Sequence, residues 1–188
     1  MPEAIRHCLE KAKTAIVLVP EISLTPQIVR RFKSHFANQA AVVHSRMSAG
    51  ERHDVWRLAL RGTYRIVIGP RSAIFAPLEN LGLIVVDEEH EASYKQFDAV
   101  PRYNARDVAV VRGSNTKAVV VLGSATPSAE SYRNAMQGKY DLLSLPERID
   151  TVFDYGRRQP GKGTIGEHGS ESAEQECMCQ LVRGKLSR

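Results

Sequence analysis

Two short stretches carry residue types that could do chemistry, and each follows an apolar run. The first is Leu81-Gly82-Leu83-Ile84-Val85-Val86-Asp87-Glu88-Glu89-His90. An apolar strand ending in Asp-Glu delivers two carboxylates to one end of a sheet. There one can hold the Mg²⁺ of a nucleotide through water while the next orients or deprotonates an attacking water. The same four letters equally fit a solvated acidic loop after a buried strand, with Glu89 in particular expected to be a surface charge. The second stretch, Gly123-Ser124-Ala125-Thr126-Pro127, also follows an apolar run. Its small residues permit a tight turn, and Ser124 and Thr126 offer hydroxyls that can bridge the acidic motif to a bound strand. Taken alone it reads as a helix start, with Pro127 near the first helical position and Ser124 or Thr126 as the cap.

These motifs need a scaffold, and the hydrophobic rhythm supplies one. Apolar, β-branched runs recur at residues 15–19, 40–43, 65–68, 83–86 and 118–122, as expected of strands buried on both faces. Between them, residues 26–36 and 48–60 place apolar side chains at helical spacing. Ser48 followed by Glu51 forms a capping box that starts the second of these helices. Alternation of this kind predicts an α/β domain with a mostly parallel sheet flanked by helices, whose ligands bind beyond the carboxyl ends of the strands. Both chemical motifs fall at such ends.

Composition sets the outer limits. A chain of 188 residues with 43% hydrophobic content has the core of one domain, expected over residues 1–150. From residue 151 the apolar rhythm stops, and residues 151–188 read as a disordered tail. No apolar run approaches the roughly 18 residues of a membrane span, and three cysteines make no dense disulfide framework, so a cytoplasmic protein is expected. The formal charge of +5 suits a polyanionic partner without demanding one.

Asp-Glu-x-His followed by Ser-Ala-Thr resembles the signature pair of the second helicase superfamily. Longer stretches narrow the likeness: residues 18–27 (LVPEISLTPQ), 69–77 (GPRSAIFAP), 87–96 (DEEHEASYKQ), 101–107 (PRYNARD) and 123–128 (GSATPS) are similar to the primosomal, replication-restart DNA helicases. The resemblance runs from about Ala4 to Asp150. It implies a RecA-like first motor domain that uses ATP and Mg²⁺ to drive 3′-to-5′ unwinding at stalled forks and helps load the replisome. Asp87 would sit near Mg²⁺, Glu88 would activate water, and His90 with Ser124 and Thr126 would couple hydrolysis to grip on DNA. Pro20, Glu21 and Thr25, and Gly69, Arg71 and Ser72, match the family's DNA-facing motifs. Partners implied are single-stranded and forked DNA, primosome proteins and single-stranded-DNA-binding protein, with no membrane.

The phosphate-cradling loop G-x-x-x-x-G-K-[ST] that such motors require does not occur in the 188 residues. Gly161 and Lys162 fall at its spacing, but Gly163 stands where the Mg²⁺-binding hydroxyl belongs, and the order relative to the acidic motif is wrong. The helix expected at residues 5–13 resembles the end of the helix that follows that loop, so the sheet is expected to lack its first strand and loop. The family's zinc module finds no counterpart, because Cys177 and Cys179 supply at most two of the four ligands a structural zinc needs. Two other readings stand beside the motor: a fragment that only binds single-stranded DNA or primosome partners, and a truncated product without function of its own.

Overall fold

The computed structural model describes residues 1–98, 100–145 and 177–182. In chain order the elements are α1 (Pro2–Glu10), β1 (Thr14–Leu18), α2 (Pro26–Phe36), β2 (Ala40–Val42), α3 (Ala49–Leu60), β3 (Ile66–Gly69), β4 (Leu81–Val86), α4 (Ala105–Thr116), β5 (Val119–Ser124), α5 (Ala129–Met136), β6 (Asp141–Leu145) and β7 (Cys177–Val182). The sheet order is β2-β3-β1-β4-β5-β7-β6. Its first five strands are parallel, so all five carboxyl ends lie on one side.

Alternation explains why helices must cover both faces. Ile16 and Leu18 of β1 join one core with Val67, Ile84, Val86 and Leu122, while Ala15, Val17 and Val19 join another with Ile66, Ile68, Leu83 and Val85. Each apolar strand is thus split residue by residue between two layers, which is what a continuous apolar run requires in a parallel sheet. Helix α2 contributes Phe32 and Phe36 to the second layer; α4 contributes Ala105 and Ala109 to the first.

Local chemistry fixes the helix starts. The Ser48 hydroxyl accepts from the Glu51 N–H at 3.2 Å, and the Glu51 carboxylate accepts from the Ser48 N–H at 2.8 Å, completing the expected capping box. Thr25 caps α2, its hydroxyl accepting from the Ile28 N–H at 3.4 Å, with Pro26 at the first helical position. At the far end of the sheet Arg65 donates to the carbonyls of Leu9 and Lys13, closing the end of α1.

Helix α4 sits unusually close to the sheet. A Cβ built on Gly113 would lie 2.2 Å from Val120 Cγ2, so only glycine fits there.

The strand expectations hold for the five parallel strands, but the expected tail differs over six residues. Cys177–Val182 forms β7, antiparallel to both β5 and β6. An uncovered β5 would present a row of unpaired backbone groups, and a β-compatible segment satisfies them. The rest of that region, residues 151–176 and 183–188, lies outside the described residues. No helix among the described residues is long and apolar enough to cross a membrane.

Candidate functional site

The carboxyl ends of β4 and β5 are adjacent, and the loops leaving them meet. Asp87 N–H donates to the Leu18 carbonyl at 2.9 Å, tying the acidic loop to β1. Two residues on, Glu89 N–H donates to the Gly123 carbonyl at 2.9 Å, tying it to β5. The Tyr94 hydroxyl, itself buried, donates to the Asp87 carbonyl at 2.6 Å. Between these anchors Glu88 adopts a left-handed backbone with φ of 48°. For a residue with a Cβ that conformation costs about 1–2 kcal/mol, and it persists because both neighbours are pinned. Its carboxylate stays partly exposed, 3.6 Å from His90 Nδ1.

His90 then reaches across to the second motif. Its Nδ1 lies 2.6 Å from Ser124 Oγ, and the Thr126 N–H donates to the same oxygen at 3.0 Å. A hydroxyl has one proton and two lone pairs, so Ser124 can hold the turn and the imidazole at once. The structure brings together His90, Ser124 and Thr126, the residues expected to act jointly, and places Glu88, expected to act on water, beside His90. Thr126 takes part through its backbone, however, and the cap of α5 is Ser128 rather than Ser124 or Thr126.

Asp87 lies on another side of the loop. It shares a cleft of about 290 Å³ with Met1 and Pro2 at the start of α1, together with Val19, Arg31 and His35. Burial, and then the neighbouring Glu88 charge, push its carboxyl above the ordinary carboxylate range, against a lowering contribution from the Glu88 N–H. An acid whose affinity for its proton rises on folding loses stability as pH climbs from its unfolded value through its folded one. Asp87→Asn is thus expected to raise the urea midpoint at pH 7, with the gain shrinking towards pH 4. A variant less stable than the parent at pH 7 would mean that the carboxylate is favourably paired.

Glu89 corrects the sequence reading. Expected as a surface charge, its side chain is 0% exposed. It accepts from Ser128 N–H at 2.5 Å, Ser128 Oγ at 3.0 Å, Ser131 Oγ at 2.8 Å and Arg106 Nη1 at 3.2 Å. Its donors lie far along the chain, and no local periodicity announces them.

A second cleft, also of about 290 Å³, opens at the ends of β1 and β3 and is lined by Pro20, Glu21, Ser45, Arg52, Arg71 and Ser72 among others. Four of the six residues assigned to DNA by resemblance therefore share one surface. Thr25 is instead the cap of α2, and Gly69 is buried at the end of β3, where a Cβ would come within 2.7 Å of the Val43 carbonyl. Arg71 is oriented by a 3.2 Å hydrogen bond to the Ser93 carbonyl. Arg52, not singled out from sequence as a ligand, joins it with a buried Nε that has no hydrogen-bond partner among the described residues.

The model of the DEAD/DEAH box helicase family matches residues 2–135. Among individual proteins, the replication restart protein PriA of Bacillus subtilis is 57% identical over 148 residues, 79% of this chain and 18% of that protein. The protein of the same name from Chlamydia trachomatis is 53% identical over 149 residues, covering 79% of this chain and 20% of its own length. That from Synechocystis is 50% identical over 147 residues, 76% of this chain and 18% of that protein. The chain spans about a fifth of the length of these curated relatives.

Proposed function

The chain belongs to the DEAD/DEAH box helicase family, and we propose that residues 1–150 are part of the first motor domain of an ATP-driven DNA helicase acting in replication restart in the cytoplasm. The observation that carries this reading is the 2.6 Å contact between His90 and Ser124. It joins the loop suited to hydrolysis to the turn suited to sensing a bound strand, at neighbouring strand ends of a parallel sheet.

Within this reading each residue has a task. Asp87 would hold Mg²⁺ through water. A lone carboxylate fits, because Mg²⁺ is usually bound by one or two carboxylates together with substrate phosphates; among the described residues no group of three or more metal-ligating side chains exists. When bound, the ion and nucleotide supply the electrophilic phosphorus and its charge neutralisation. Glu88 orients a water and accepts its proton. His90 reports the state of that loop to Ser124 and the turn after it.

The second cleft takes the backbone of single-stranded DNA. Arg52 and Arg71 provide charge, Ser45 and Ser72 neutral donors, and such contacts position a strand without reading its sequence. Binding should weaken steeply with salt. With the 188-residue chain and a fluorescent oligothymidine at low salt, Arg52→Glu with Arg71→Glu is expected to reduce affinity about tenfold or more, a change of ~1.4 kcal/mol. Equal anisotropy titrations for parent and double variant would remove this cleft from the DNA path.

A further inference from the structure

Among the described residues Glu89 is the only charged residue that is buried, and the hydrolysis chemistry above gives it nothing to do. Its geometry does. The backbone N–H of Glu89 bonds to the Gly123 carbonyl, immediately before the Ser124–Pro127 turn. Its carboxylate bonds to the N–H and hydroxyl of Ser128, immediately after that turn. One residue thus grips both ends of the four-residue turn that presents Ser124 to His90. Ser131 adds a donor from the next part of α5. Arg106, at the start of α4, reaches both Glu89 and Ser128 Oγ, the latter at 2.7 Å.

We propose that Glu89 is a positioning residue that staples the Ser124–Pro127 turn to the acidic loop, so that the His90–Ser124 contact is set by the fold rather than left to two flexible loops. Only a carboxylate suits the position. It is acceptor-only and has room for four donors, whereas an amide of the same size turns one of its own N–H groups towards another donor. The staple rests on the coupling role proposed for His90 and Ser124, but it concerns geometry that exists without nucleotide.

The test therefore uses no nucleotide, and failure of the helicase reading leaves its outcome readable. The 188-residue chain, with ¹⁵N-labelled histidine, gives the Nδ1 resonance of His90 in the parent and in Ser124→Ala, which supplies the unbonded reference. Glu89→Gln is expected to move that resonance at least halfway to the Ser124→Ala position. Ser131→Ala, which removes one of the four donors, should move it in the same direction by less. A purely structural role would lower the melting temperature of both variants and leave the resonance at its parental position, and that result overturns the proposal. If Glu89→Gln does not fold, Ser131→Ala decides alone: an unmoved His90 signal overturns the staple.

Discussion

Arg106→Leu is expected to destabilise the chain by about 3 kcal/mol, enough to lower its melting temperature by roughly 6–12 °C at this size. The Arg106 side chain is only 13% exposed and its Glu89 partner is fully buried. Removing the guanidinium leaves a carboxylate in the interior without its counter-charge. Three neutral donors remain on Glu89, which places the loss near the lower end of the range for broken buried pairs. Arg106 also pairs with Asp107 at 3.0 Å, but Asp107 is 64% exposed, and such a contact contributes well under 1 kcal/mol. The two contributions separate in a double-mutant cycle. Glu89→Gln with Arg106→Leu should cost much less than the sum of the single changes, because it leaves no charge unpaired, whereas Asp107→Asn should barely couple to Arg106. A loss below 1 kcal/mol for Arg106→Leu by urea unfolding would show that water reaches Glu89.

That network also marks where sequence reading stops. The five parallel strands and helices α2 and α3 are legible because their signals are local: apolar runs bounded by polar turns, and a capping box four residues long. The acidic motif and the Ser124 turn were legible as chemistry because each ends a strand, and strand ends in a parallel sheet share one side. Helix α4 has a weak pattern, since the residues it buries deepest, Ala105, Ala109 and Gly113, are small enough to look like surface positions. The burial of Glu89 has no signature in the sequence because its four donors sit 17 to 42 positions away, and an acidic run gives no hint of which member turns inward. Ser128 takes the cap of α5 that the sequence assigns to Ser124 or Thr126, because Ser124 ends β5 with its hydroxyl committed to His90 and Thr126. Cys177–Val182 has no strand signal of its own because strand formation there depends on partners, β5 and β6, supplied by residues more than thirty positions earlier.

Glu88→Gln should have its effect on turnover and almost none on binding. In a longer chain that carries a phosphate loop and a second motor domain, the substitution is expected to cut DNA-stimulated ATP hydrolysis by about 10²–10⁴-fold while leaving nucleotide affinity within a factor of a few. The reason is local. Glu88 is held in a left-handed backbone between two anchored neighbours, so a glutamine should keep its place and size and lose only the ability to accept a proton from water. The 188-residue chain by itself is expected to behave differently. It contains no G-x-x-x-x-G-K-[ST] segment, and the carboxylates of Asp87 and Glu88 repel a triphosphate that no lysine and backbone cradle neutralises. Parent and Glu88→Gln forms of this chain should thus release phosphate at the same background rate, with or without single-stranded DNA. Two measurements decide the matter: phosphate release from both chains, and nucleotide affinity in the longer one. Turnover in the longer chain that survives Glu88→Gln would take the water-activating role away from Glu88. Robust release by the 188 residues that the same change abolishes would keep Glu88 as the base and require a phosphate-binding loop of a kind unlike the family's.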